Sequence, residues 1–387
     1  MAKKILLFAM FMTVLLCNQE SDDGWKSLSL KEKIGQMIMV RVTGNYYHSD
    51  NGYKKKLEDW ISNDYIGGVI TFSGSVHGTF YNIKEFQKIS KIPLFIAADY
   101  ERGLGQWMDS ATLFPSNMAV AATGEPDYAF QQGLVTSSEA ESMGVNIVFA
   151  PVLDINNNPN NPIINFRAYS DDPLMVSKFG NAFINGIQKN NVFSCIKHFP
   201  GHGNTSIDSH TSLPSIPGNR NTLLKNELLP FNKAIDNNVK MVMIGHIAMP
   251  GLDNSNVPAS HSKKIVSDLL IKEWGFEGLV ITDGMEMGGL TENAWAGESA
   301  IRAVEAGCDI LLLPMDVDAT IAALIEAVNS GRLSLDRIND SVAKIWKAKL
   351  ELDLFSNRNN DWHDLENNIG KADHYKIANK IANKSIT

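Results

Sequence analysis

Eight short runs of apolar, mostly β-branched residues recur along the chain. They occupy residues 36–42 (QMIMVRV), 67–73 (GGVITFS), 94–99 (LFIAAD), 146–155 (NIVFAPVLDI), 192–198 (VFSCIKH), 240–246 (KMVMIGH), 278–283 (GLVITD) and 309–314 (DILLLP). Few polar residues interrupt them, which is the pattern of strands covered on both faces. Between them lie stretches whose apolar positions recur every three or four residues, at 127–144, 177–190 and 261–275, and these predict amphipathic helices. A last helix is predicted over 335–352, opening after Ser334, whose hydroxyl suits an N-cap. Strands alternating with helices in this way predict an α/β fold, a (β/α)8 barrel. The competing open, doubly wound sheet would carry a glycine-rich phosphate turn after its first strand, and RVTGNYYHSD at 41–50 is not one.

The N-terminus breaks the pattern. Residues 1–17 (MAKKILLFAMFMTVLLC) set two lysines before an apolar run that ends at Cys17. The run is too short to span a bilayer and has the shape of a signal peptide. A lone cysteine at its end, followed by the acidic NQESDDG, resembles the acylation site of a bacterial lipoprotein, although Leu16 stands where a small residue is usual. The expectation is an exported protein, periplasmic or held at the outer membrane by a lipid on Cys17. A short linker (18–27), one large domain (28–355) and a C-terminal tail (356–387) would follow. The net charge of −8 argues against a nucleic-acid partner, which a basic surface would attract. Cys195 and Cys308 sit in apolar runs and read as buried free thiols.

In a barrel, chemistry gathers where the strands end. The third run ends in Asp99. The fourth ends near Asp154 and leads into an Asn/Pro-rich loop carrying Arg167. The fifth ends in Lys197-His198, the sixth in His246 and the seventh in Asp283. Five consecutive strands thus place ionisable groups at one rim, where buried strands rarely carry them without a partner or a task. After the fifth strand comes KHFPGHGNTSIDSH (197–210), in which Pro200, Gly201 and Gly203 permit a tight path over the rim. Asp208 and His210 are one residue apart and would point the same way in an extended segment. A carboxylate beside an imidazole raises its basicity, which makes His210 a candidate general acid/base. Asp283 is a candidate nucleophile or charge stabiliser. Lys197, Arg167 and His198 as donors, with Asp99 as acceptor, suit a polyhydroxylated substrate. The rival is a metal site built from His198, His202, His210, His246 and Asp283. It lacks the H-x-H that metal-dependent barrels carry after the first strand, and Lys197 beside it would disfavour a cation. Neither a metal nor a cofactor is expected.

The same loop resembles the signature of glycoside hydrolase family 3, in its β-N-acetylglucosaminidase branch. LFIAADYERG, NIVFAPVLDINNNPNNPIINFRAYSDDP, MVMIGHIAMPGLD, PASHSKKIVSDLLIKEWGFEGLVITDGMEM and AVEAGCDILLLPMD resemble further blocks of that family, in order, from about residue 28 onward. The resemblance implies a retaining glycosidase on a (β/α)8 barrel. Asp283 would form a covalent glycosyl-enzyme, and His210, assisted by Asp208, would be the acid/base. Asp99, Arg167, Lys197 and His198 would bind the N-acetylglucosamine ring. It implies a monomer acting on peptidoglycan fragments or chitin-type oligosaccharides. β-Glucosidase activity and phosphorolysis are the alternatives within the family, and a non-enzymatic glycan-binding lipoprotein is the alternative outside it. Three positions depart from the family pattern. Trp107, in ERGLGQW, replaces an arginine, and Gly284 stands where Ala or Asp is common. The closing KIANKSIT resembles the lead into a second domain, or the tail of a single-domain enzyme.

Overall fold

The computed structural model describes residues 23–386 except 64, 210, 292–294 and 357–360. The leader with Cys17, half of the linker, and His210 therefore lie outside the described residues.

Each of the eight apolar runs supplies one strand. They are β1 (Ile38–Gly44), β2 (Gly68–Gly74), β3 (Phe95–Ala98), β4 (Ile147–Val148), β5 (Phe193–Phe199), β6 (Met241–Ile244), β7 (Leu279–Thr282) and β8 (Leu311–Leu312). All pair in parallel, in the order β7-β6-β5-β4-β3-β2-β1-β8. The two ends of that order meet through a parallel bridge between Ile281 and Ile310, with the Thr282 N–H donating to the Ile310 carbonyl at 3.0 Å. The sheet therefore closes into the expected barrel. Strands enclosed by side chains inside and helices outside must be apolar on both faces, and every residue of β5 is buried. The fourth run departs from the expectation of one long strand. Regular pairing covers two residues, and Pro151, which has no N–H to donate, interrupts the ladder before a single bridge from Val152 to Lys197.

The helical periodicities also hold. They appear as α-helices over Asp127–Met143, Pro173–Ile187 and Leu335–Glu351, and as a wider π-helix over Lys264–Glu273. The Ser334 hydroxyl accepts the Arg337 N–H at 3.1 Å, the cap the sequence implied. The first two of these helices touch backbone to backbone. A Cβ on Gly133 would lie 2.4 Å from the Phe183 carbonyl oxygen, and one on Gly186 would lie 2.2 Å from that of Phe130. At the opposite end of the barrel from the loop-rich rim, Lys349 is fully buried. Its amino group donates to Gln36 Oε1 at 2.6 Å and lies 5.0 Å from the Phe95 ring centre. Burial pushes the pKa of this amine far below its ordinary value.

The C-terminal tail folds back as two helices, Trp362–Asn368 and Ala372–Lys384, with Leu365 and Ile381 fully buried. One buried carboxyl group fastens the tail to the barrel. Glu139 accepts from the Thr112 hydroxyl (2.5 Å) and N–H (3.1 Å), from the Gly370 N–H (3.0 Å), and pairs with His374 Nδ1 (2.8 Å). It thereby joins the Asp127–Met143 helix, the loop after β3 and the tail. Replacing it with alanine strands several buried donors, each costing about 1–3 kcal/mol. Glu139→Ala should lower unfolding free energy by roughly 3–5 kcal/mol in urea titrations, and a loss below about 1 kcal/mol would deny Glu139 this role.

Candidate active site

The loops at the C-terminal ends of the strands enclose a cavity of about 570 Å³. An ion cluster lines it. Lys197, on β5, reaches Asp99 Oδ1 at 2.5 Å and Glu101 Oε1 at 2.7 Å. Arg167, on the loop after β4, grips Glu101 with two bonds, Nη2 to Oε1 at 2.7 Å and Nε to Oε2 at 3.0 Å. Two cations thus meet two carboxylates, and the cluster is internally neutral. Burial alone would raise the pKa of Glu101, but the fields of Lys197 and Arg167 more than offset it and hold the carboxyl far below the usual range. Lys197 loses water too, yet Asp99 and Glu101 hold its ammonium above the ordinary value. The Trp107 indole N–H donates to the Asp99 carbonyl oxygen at 2.8 Å, and its ring meets Phe72 edge-on at 5.9 Å. The side chain in the family's arginine position therefore braces the strand end that carries Asp99.

Next to this cluster, Asp154 is fully buried and pairs with His198 Nδ1 at 2.7 Å. It also accepts the His202 backbone N–H at 2.6 Å. Burial works against its charge, but His198 and His202 prevail and hold its carboxyl low. An ionised Asp154 only accepts, so His198 Nδ1 carries the proton. Asp154 thus fixes both the tautomer of His198 and the start of the following loop. The Lys197–His198 and Phe199–Pro200 peptides are cis.

Farther along that loop, His202 Nε2 bonds Ser209 Oγ at 2.8 Å, anchoring the stretch between Asp208 and residue 210. The Asp208 carbonyl accepts the N–H groups of Thr211 (3.0 Å) and Ser212 (3.2 Å). Short Asp, Ser and Thr side chains compete for backbone groups and favour turns over strands.

Asp283 follows β7 and faces the cavity. Its Oδ1 accepts the Gly284 N–H at 2.8 Å. Burial would raise its pKa, but His198, His246, the Gly284 amide and Lys197 together hold it low, so it stands as a carboxylate. His246 is fully buried behind it. The Gly284 carbonyl can only accept, so His246 Nε2 carries the proton and donates to it at 3.1 Å. His246 Nδ1 then accepts from the Ser260 hydroxyl at 2.8 Å. Desolvation keeps this imidazole below its usual pKa despite Asp283 nearby, so it is a neutral strut for the turn carrying Asp283.

The fold therefore brings Asp99, Arg167, Lys197, His198 and Asp283 to one cavity, with Asp208 on the loop beside it; His210 lies outside the described residues. Sequence reasoning missed Glu101, although DYERG carried a signal. Residues 99 and 101 share a face of an extended chain, so a second carboxylate was due beside the first. Of the rival metal ligands, His198 pairs through Nδ1 with Asp154, His202 bonds Ser209 through Nε2, and His246 uses both ring nitrogens on Ser260 and Gly284. Among the described residues no three His, Cys, Asp or Glu side chains form a group able to hold a metal ion.

The profile of the glycosyl hydrolase family 3 N terminal domain matches residues 29–348. The chain is 33% identical to β-hexosaminidase A of Pseudoalteromonas piscicida, covering 93% of this chain and 67% of that protein. It is 30% identical to a β-N-acetylglucosaminidase/β-glucosidase of Cellulomonas fimi, covering 95% of this chain and 66% of that protein. A solved glycoside hydrolase family 3 β-N-acetylglucosaminidase from Paenibacillus sp. str. FPU-7 superposes with a TM-score of 0.85 at 33% identity, covering 93% of this chain and 69% of that one. The chain spans about two thirds of the length of each of these relatives.

The ion cluster carries a pH signature. Because the Glu101 pKa is depressed in the fold, its stabilisation is present above the unfolded carboxyl range, near pH 4, and is lost as pH falls through the folded value. Glu101→Gln should cost roughly 3–5 kcal/mol at neutral pH, and the gap to wild type should narrow as urea unfolding is repeated toward pH 3. A gap that stays constant across that range would mean that Glu101 is not held ionised by its partners.

Proposed function

This chain belongs to glycosyl hydrolase family 3, and from that premise we propose that it is a retaining β-N-acetylhexosaminidase that removes terminal β-linked N-acetylglucosamine. One observation carries the reading. Of the carboxylates that line the cavity among the described residues, Asp283 alone has no cation clasping it. Asp99 and Glu101 are held by Lys197 and Arg167, and Glu286 is held by Arg41. Retaining glycosidases need a nucleophile and a separate acid/base. With the other carboxylates engaged, the acid/base role falls to His210, two residues after Asp208.

In the first step, protonated His210 gives its proton to the leaving oxygen while an Asp283 oxygen attacks the anomeric carbon. The bond to the leaving group breaks as the glycosyl-ester bond forms. In the second step, neutral His210 takes a proton from water, whose oxygen attacks the same carbon and frees Asp283, by microscopic reversibility. Asp99, Glu101, Arg167 and Lys197 hold the sugar hydroxyls, and His198, fixed by Asp154, presents its ring beside them. His246 positions Asp283 through the Gly284 carbonyl. A histidine base carries no negative charge and repels phosphate less than a carboxylate would, so phosphorolysis is a second outcome of the same site. Chitin-type oligosaccharides or peptidoglycan fragments supply the substrate class, and the leader at 1–17 with Cys17 supports an exported, lipid-anchored enzyme.

Release of p-nitrophenol from its β-N-acetylglucosaminide by protein beginning after Cys17 tests the assignment. Asp283→Ala should lower kcat at least about a thousandfold, as loss of a nucleophile does. An active Asp283→Ala protein, or a folded and inactive wild type, would overturn it. Added inorganic phosphate that converts the product to a sugar 1-phosphate would identify phosphorolysis.

A further inference from the structure

The loop after β3 begins with Asp99 and Glu101, passes Trp107, and then doubles back along itself. The Gly105 N–H donates to the Thr112 carbonyl at 2.9 Å, and the Phe114 N–H donates to the Arg102 carbonyl at 2.9 Å. Arg102 Nε returns a bond to the Phe114 carbonyl at 3.1 Å. Residues 102–105, which directly follow Glu101, are thus placed by the returning stretch at 110–114. Asp109, Ser110 and Leu113 are exposed, so the turn lies at the surface. Surface loops stay mobile unless something holds them.

The C-terminal tail holds this stretch at three successive residues. A Cβ on Gly370 would lie 2.3 Å from the Ser110 carbonyl oxygen, so the tail backbone rests directly on that peptide. The Tyr375 hydroxyl donates to the Ala111 carbonyl at 3.3 Å. Thr112 is joined to the tail through Glu139, which takes the Thr112 hydroxyl and N–H on one side and the Gly370 N–H and His374 on the other. The tail is itself fixed, because Leu365, Ala378 and Ile381 are buried. A continuous set of contacts therefore runs from the tail, through 110–114 and 102–105, to the carboxylates of the ion cluster. We propose that the tail is a working part of the sugar site: Gly370, His374 and Tyr375 are positioning residues that set where Asp99 and Glu101 meet the substrate, a role that rests on the glycosidase reading of the cavity.

Kinetics separate positioning from mere stability. A residue that only keeps the protein folded lowers the active fraction when it is lost, so apparent kcat falls and KM stays. A residue that places a sugar-binding carboxylate raises KM instead. With p-nitrophenyl β-N-acetylglucosaminide as substrate and free N-acetylglucosamine as competitive inhibitor, His374→Ala and Gly370→Ala should raise KM and Ki about five- to twentyfold and keep kcat within about threefold. Tyr375→Phe keeps its ring and loses one hydroxyl, so it stays folded and should raise both constants about two- to threefold. His374→Asn can donate to Glu139 from nearly the place of Nδ1 and should return both to within about twofold of wild type. Val342→Ala, which opens the core in the helix carrying Lys349 at the other end of the barrel, should leave KM and Ki unchanged. Wild-type KM and Ki in the tail variants, or an equal rise in Val342→Ala, would overturn the proposal and leave the glycosidase reading standing. A wild type that neither cleaves the substrate nor binds N-acetylglucosamine would overturn both.

Discussion

Four charges at one end of a barrel, two buried and two partly so, must balance one another, and this requirement shapes the rest of the pocket. Lys197 stands between Asp99 and Glu101, while Arg167 closes on Glu101 from the loop after β4. An uncompensated charge at such depth costs several kcal/mol. The segments after β3 and β4 and strand β5 are therefore not free to vary separately, because the first carries both carboxylates and the other two carry one cation each. Trp107 fits this scheme, since its indole holds the Asp99 carbonyl and so helps to place the carboxylate.

The histidines follow a related division of labour. His198 is oriented by an ionised Asp154, and His246 is kept neutral by burial and aimed at the Gly284 carbonyl. His202 uses one ring nitrogen to hold Ser209. For His198 and His246 a partner that can only accept decides which nitrogen bears the proton. A cluster of histidines in sequence thus becomes a set of separate positioning devices in space.

The barrel was legible because its strands are buried on both faces, so QMIMVRV, GLVITD and their counterparts stand out as apolar runs without any alternation. The strand-end rule then located Asp99, Lys197, His198 and Asp283 from their place in those runs. Features that depend on partners distant in sequence were harder to read. Glu101 draws its meaning from Arg167, 66 residues away, and the docking of the tail depends on Glu139 meeting His374. Local competition for backbone groups hid others. Pro151 ended β4 early, and the Asp208 carbonyl took up the N–H groups of Thr211 and Ser212.

Cys195 and Cys308 are both wholly enclosed, and burial pushes their thiols upward, that of Cys308 to about 12. The thiolate is the reactive species in both disulfide exchange and alkylation, so neither sulfur offers itself to an oxidant or a maleimide while the barrel is closed. Among the described residues the folded protein presents a surface without a reactive thiol. A cysteine introduced on an outer helix would be the one exposed thiol among the described residues, which suits the barrel to site-specific attachment of a fluorophore or a solid support.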